Sequence, residues 1–174
     1  MAPIRIALWA SCLVLAGCAD LTAVRDISSR LTVASKNWNE VSADIAGSCQ
    51  RELALNPQIG DCQLERKASD GLIAADAVLT EYFSALLAAA TETNFSIKPG
   101  LDKATAAVAG IDGIDEAKVK AVSGLVGLLT KIAGEKLRED TLRELIASGG
   151  PAAQSVIEGL RGLVVPRLRG RLDA

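Results

Sequence analysis

The stretch VRDISSRLTVASKNWNEVSADI, residues 24–45, decides the fold. Its apolar side chains recur at alternating steps of three and four residues, the a/d register of a helix that packs lengthwise against another helix. The positions in this register are Val24, Ile27, Leu31, Ala34, Trp38, Val41 and Ile45. The pattern predicts a long amphipathic helix, which we expect to end between Cys49 and Leu55.

A second register of the same kind follows a short break. Asn56-Pro57 and Gly60-Asp61 predict a turn, because these residue pairs favour turn conformations. The second register consists of Ala68, Leu72, Ala75, Leu79, Tyr82, Leu86 and Ala89. Two heptad helices joined by a short turn should pack antiparallel, so the sequence predicts a helical hairpin.

The C-terminal half also has helical periodicity. Residues 91–100 read as a connector and 101–109 as a short helix. We expect a long apolar helix from about Val119 to Ser148, and a last helix that begins at Pro151. The alanine-rich seam of the hairpin buries too little apolar surface to offset the loss of conformational entropy on folding. The C-terminal helices must therefore cover it, and we predict one all-α domain, an elongated antiparallel helical bundle.

Composition excludes several classes of function. The chain has no histidine, which argues against imidazole–zinc sites, histidine-ligated haem and histidine-based acid–base catalysis. Its 19 basic and 21 acidic side chains are interspersed, which argues against a nucleic-acid partner. Asp112, Asp115 and Glu116 lack the spacing of a calcium loop and read as helix-capping residues. Because nucleophile and phosphate-loop motifs are also lacking, we expect no enzyme activity, no catalytic residue, no metal and no cofactor.

The N-terminus carries a motif with a specific meaning. Arg5 precedes a short apolar run, residues 6–15, which is too short to cross a bilayer but typical of an export signal. The run ends in Leu15-Ala16-Gly17-Cys18, which matches all four positions of the lipobox, so this segment resembles the signal of bacterial lipoproteins. The resemblance implies cleavage before Cys18, a signal peptide of residues 1–17 and a single periplasmic domain of residues 18–174.

The resemblance also implies a cellular location for the protein. In that family the new N-terminal cysteine carries a diacylglyceryl group on sulfur and a fatty acyl chain on nitrogen, so Cys18 would be the lipidation site and membrane lipid its partner. Three acyl chains give essentially permanent anchoring. The residue that follows is Ala19 rather than the aspartate that retains such proteins at the inner membrane. We therefore expect the periplasmic face of the outer membrane in the cell envelope.

Two cysteines remain once Cys12 leaves with the signal and Cys18 is acylated. Cys49 and Cys62 flank the predicted hairpin turn, and an isolated pair in an oxidising compartment usually forms a disulfide. Their twelve intervening residues differ from the CxxC spacing of thiol–disulfide exchange catalysts. We predict a structural disulfide that locks the tip of the hairpin.

Two further features of the sequence each allow more than one interpretation. Gly124, Gly127 and Gly134 lie in the most apolar predicted helix together with Lys131, where they indicate either a surface for lipid or a partner, or tight packing inside the bundle. The C-terminal arginines Arg161, Arg167, Arg169 and Arg171 suit either anionic headgroups or an acidic partner, or simply a solvated helix end.

We expect a non-enzymatic structural adaptor that presents a helical surface to another envelope protein. The alternative is a binder or carrier of lipid or another apolar ligand.

Overall fold

The computed structural model describes residues 21–172, and within this range it leaves out the side chains of Lys36, Ile59 and residues 166–172. The predicted signal peptide, residues 1–17, and the predicted lipidation site Cys18 lie outside the described residues. Six α-helices make up most of the described chain. They are α1 (Leu21–Leu55), α2 (Gln63–Ala90), α3 (Ala104–Ala109), α4 (Glu116–Ile132), α5 (Glu139–Glu144) and α6 (Gly150–Leu172).

Short helical turns join some of these helices. Two 3₁₀ turns, Pro57–Ile59 and Leu101–Lys103, precede α2 and α3, and a π-helical turn, Leu145–Gly149, connects α5 to α6. Within residues 21–172 there is no β-strand, only an isolated antiparallel bridge between Asn94 and Lys136. The prediction of an all-α helical bundle is confirmed.

The first two helices form the predicted antiparallel hairpin. Near its turn Cys49 and Cys62 form the expected disulfide, with their Cα atoms 5.9 Å apart. At the opposite end the Arg25 guanidinium donates two hydrogen bonds to the carbonyl oxygen of Ala90, at 3.0 Å from Nε and 2.7 Å from Nη2. These contacts fix both ends of the hairpin, and the arginine satisfies a carbonyl at the C-terminus of α2 that lacks a helical partner.

The seam of α1 differs from the predicted register at two positions. Ile27 is 57% exposed and Ala34 is exposed, although both were expected in the seam. The residues one position further on, Ser28, Ser35 and Ser42, are buried instead, and we call them the serine line. Small side chains at these heptad positions let the backbones of α1 and α2 approach closely. The packing gained in this way outweighs the burial lost by the larger apolar side chains that face away from α2.

Helix α2 lies at the centre of the bundle. It packs against each of the other α-helices, and its predicted seam is confirmed, with Leu72 and Leu79 among the buried residues. Within residues 21–172 it alone is long and apolar enough to cross a membrane, but 61% of its most apolar window is buried inside the protein. Such burial is typical of a central core helix.

The predicted helix from Val119 to Ser148 is interrupted. Helix α4 ends at Ile132, and Gly134 follows with a φ of +84°, a conformation that glycine adopts without the strain of a side chain. The segment after it pairs with the connector through Phe95 N–H to the Glu135 carbonyl (3.2 Å) and Leu137 N–H to the Thr93 carbonyl (3.2 Å). These backbone bonds, together with the burial of Phe95, replace the helical bonds that are lost.

The π-helical turn packs on α2 through a close contact between Gly149 and the Tyr82 ring. The Tyr82 hydroxyl donates to the carbonyl oxygen of Leu145 at 3.0 Å, and burial raises the pKa of this phenol to about 12. A Cβ atom at Gly149 would lie 2.5 Å from the Tyr82 ring, so only glycine fits there. The predicted helix boundary at Gly149-Gly150 is therefore a packing site, and the chain stays helical through it.

Candidate functional site

An open cavity of about 300 Å³ lies where α1, α2 and α6 meet, and we call it the apolar cleft. Aliphatic and aromatic side chains form most of its wall, and Asp76 and Arg161 are the two charged residues among those that line it. The lining residues are Leu31, Ala34, Ser35, Trp38, Asp76, Leu79, Phe83, Ile157, Leu160 and Arg161. The volume falls at the lower end of the range of roughly 300–1,000 Å³ that is typical of small-molecule sites.

The sequence creates this cleft by placing small residues on α1 opposite large ones. Ala34 and Ser35 contribute little volume at the point where Phe83 of α2 and Leu160 of α6 converge. Ile157 is 44% exposed at the edge of the cleft, although a large apolar residue is normally covered. The three helices therefore leave an apolar surface that is open to a ligand.

Asp76 is the buried polar group of this region. Its side chain accepts a hydrogen bond from the Ser35 hydroxyl at 2.7 Å, and Ser35 also contacts the Thr80 hydroxyl. The second carboxyl oxygen, Oδ2, has no hydrogen-bond partner within the described residues, and neither has Nε1 of Trp38. Burial raises the pKa of Asp76 above its ordinary value, while the Ser35 hydrogen bond opposes that effect.

A second cavity of about 270 Å³, the polar cleft, adjoins the apolar cleft at Ser35 and Asp76. These two residues line both cavities. In the polar cleft the buried Glu81 pairs with Lys98 at 3.0 Å, and the lysine side chain is 71% exposed. The pair suits binding of polar groups, whereas the apolar cleft suits hydrocarbon.

This region has no histidine, and its described residues form no cluster of metal ligands. Ser35 and Asp76 form a hydroxyl–carboxyl pair, but the chain has no histidine that could act between them as a base. Among residues 21–172 no group of three or more cysteine, aspartate or glutamate side chains is placed to hold a metal ion. Asp115 caps α4, as predicted, by accepting from the Ala117 N–H at 2.9 Å.

The predicted surface on α4 lies away from both clefts. Gly124 and Gly127 are exposed, and a Cβ atom at either position would meet no atom within 4 Å. Lys131 forms an exposed ion pair with Glu144 at 2.8 Å, which raises the pKa of the lysine, while Gly134 lies in the turn after the helix. These residues share one open face, and the two helical glycines are not used for tight packing.

Asp76 and Glu81 are not among the residues that the sequence predicted as functional. Both are buried, at 4% and 3% exposure. A signal for them existed in the segment GLIAADAVLTEYFSALLAAA, residues 71–90, where they are the only charged residues. A helix that is apolar on all sides is buried all round, so its charged residues should have been expected inside the protein.

The fold and the cavities define an all-α bundle with an open apolar cleft beside a buried carboxyl group. Comparison of the chain with protein-family models, with curated proteins and with solved structures found no match.

Proposed function

We propose that this protein is a lipoprotein of the outer membrane, anchored through acylated Cys18, whose helical body binds an apolar ligand. The anchor rests on the lipobox match of residues 15–18. Helix α1 is already formed at Leu21, so only a few residues separate the anchor from the body. The body therefore lies close to the membrane surface, where apolar ligands are concentrated.

The observation that supports ligand binding is the apolar cleft itself. A water-accessible hydrocarbon surface beside Trp38, Phe83 and Leu160 costs free energy, at roughly 25 cal/mol per Å² of apolar area. An apolar ligand that covers this surface recovers that free energy. The function is that of a binder or carrier of lipid-like molecules, which was the alternative hypothesis of the sequence analysis.

The anchor can be tested by mass spectrometry and cell fractionation. We expect the N-terminal peptide of native protein to begin at Cys18 and to carry the mass of three acyl chains. The Cys18→Ser variant should leave the membrane fraction and enter the soluble periplasmic fraction. An unmodified thiol, or a leader that is still attached, would contradict the proposal.

The cleft can be tested by native mass spectrometry of the chain from residue 18 onward with Cys18→Ser, which removes the protein's own lipid. We expect a hydrophobic ligand to remain bound after purification. Ala34→Phe should displace it, because Ala34 lines the cleft and is exposed. Ala43→Phe on the same helix is the matched control, since Ala43 is exposed and does not line the cleft. A ligand that is absent, or equally bound in both variants, would count against this site.

The adaptor function is a second candidate, supported by the open face of α4. Gly124 and Gly127 leave backbone accessible there, beside Lys131. A partner helix could approach such a surface closely. Photo-crosslinkers placed at exposed positions of residues 118–134 should capture one specific envelope protein if this function is correct, and capture of phospholipid alone would argue against it.

A further inference from the structure

The apolar cleft has an exposed positive charge among its lining residues. Arg161 is exposed, and no carboxylate lies within ion-pair distance of it among the residues whose side chains are described. Glu158, one turn earlier on α6, lies 3.7 Å from Lys118 and accepts a hydrogen bond from Gln154. The edge of the cleft therefore presents a cation that pairs with none of the carboxylates in the described part of the chain.

The other charged residue of the cleft is enclosed by the protein. Asp76 is 4% exposed, and one of its oxygens is occupied by the Ser35 hydroxyl. Of the two charged residues that line the cleft, Arg161 is thus the one exposed to a ligand.

The size of the cleft limits the hydrocarbon that it can hold. A methylene group occupies about as much space as a water molecule in the liquid, roughly 30 Å³. A cavity of about 300 Å³ therefore encloses one alkyl chain of medium length, and a second chain would extend beyond it into the solvent. The wall formed by Leu79, Phe83 and Leu160 offers such a chain continuous apolar contact.

We propose that the ligand of the apolar cleft is a single-chain fatty acid, whose alkyl chain lies between α1, α2 and α6 and whose carboxylate pairs with Arg161. This inference rests on the proposed function, because it names the chemical class of the apolar ligand. The occupant is defined by two matches, one between cavity volume and a single chain and one between an unpaired cation and an anionic headgroup. A free fatty acid meets both.

The test compares three probes that share one chain length and differ in headgroup: decanoate, decanol and decyltrimethylammonium. Trp38 reports binding, because it lines the cleft and is the only tryptophan left once residues 1–17 are removed. In fluorescence titrations we expect decanoate to bind most tightly and the cation most weakly. Arg161→Gln should weaken decanoate binding about fivefold, which corresponds to ~1 kcal/mol, and leave decanol binding unchanged.

Two controls make the outcomes distinct. Arg161→Lys keeps the charge and should restore most of the decanoate affinity, whereas Arg66→Gln removes an exposed arginine that does not line the cleft and should have no effect. If all three probes bind with equal affinity, or if Arg161→Gln changes nothing, the fatty-acid assignment is overturned while the binding function stands. If no probe binds, the proposed function itself fails.

Discussion

At the scale of single residues, Asp76 shows what burial does to a charged group. Its carboxyl is enclosed between α1 and α2, so folding makes its ionisation more costly and raises its pKa from the ordinary 3.8. The folded state then binds the proton more tightly than the unfolded state. Stability that is fully present below the ordinary pKa is lost as the pH rises through the raised value.

Replacing this group by its neutral isostere should remove that pH dependence. We expect Asp76→Asn to be more stable than the wild type at neutral pH, since the amide oxygen can still accept from Ser35 while no charge is buried. The gain should grow as the pH rises above 3.8 and level off beyond the raised pKa. Thermal unfolding of both proteins across this pH range checks it. A stability difference that does not vary with pH would contradict the argument, because the two proteins differ only at residue 76.

A second residue-scale prediction concerns Ser42. Its hydroxyl is fully buried and has no hydrogen-bond partner among the described atoms. Ser42→Ala should therefore raise the free energy of unfolding by about 1 kcal/mol, because an unsatisfied buried polar group is removed. Ser29→Ala, an exposed position on the same helix, corrects for the higher helix propensity of alanine. Equal effects of the two substitutions in chemical denaturation would show that the Ser42 hydroxyl is satisfied.

At the scale of elements, α1 shows how far a heptad pattern can be read. The existence, length and antiparallel partner of this helix follow from its apolar period, and those expectations are confirmed. The period could not tell which of two adjacent positions faces α2, because Ile27 and Ser28 differ by only 100° around the helix axis. The serines of the serine line are spaced by seven residues, and Cys49 continues the same spacing. This spacing indicated the buried positions, but a search for apolar periodicity does not include serine.

The disulfide of the hairpin should contribute measurably to stability. Cys49 and Cys62 are 13 residues apart, and closing a loop of that size is worth about 3 kcal/mol in the chain-entropy model. The double variant Cys49→Ala, Cys62→Ala should lose that amount in chemical denaturation. Reduction of the wild type should produce the same loss, which serves as the control. A loss below about 1 kcal/mol would mean that the bridge constrains the unfolded chain far less than this model requires.

One glycine within α4 and one in the turn after it should respond in opposite directions to the same change. Gly124→Ala should stabilise the protein by about 0.5–1 kcal/mol, because the helical position is open and alanine restricts the unfolded chain. Gly134→Ala should destabilise it, because that residue has a positive φ. Unfolding curves of the two variants distinguish these outcomes. A loss of stability in Gly124→Ala would indicate that another surface packs on this helix.

At the scale of the whole molecule, the hydrophobic pattern predicted the bundle but not its cavities. Apolar periodicity shows which face of each helix is buried, and the central position of α2 follows from its apolar residues on all sides. The apolar cleft arises where three helices meet imperfectly, around Ala34 and Phe83, and that depends on crossing geometry that no single helix encodes. The candidate ligand site was therefore beyond the reach of the sequence pattern, whereas the disulfide was within it.

The most direct test of the account asks whether hydrocarbon enters the cleft. Bromine quenches tryptophan fluorescence only at close range, and Trp38 is the sole tryptophan of the chain from residue 18 onward. In the Cys18→Ser protein, a decanoate that carries bromine on its chain should quench Trp38 with saturation, and unbrominated decanoate should reverse the quenching by competition. Ala34→Phe should abolish the saturable quenching, while Ala43→Phe leaves it intact. Quenching that rises linearly without saturation, or that persists unchanged in Ala34→Phe, would contradict the claim that this bundle binds an apolar ligand between α1, α2 and α6.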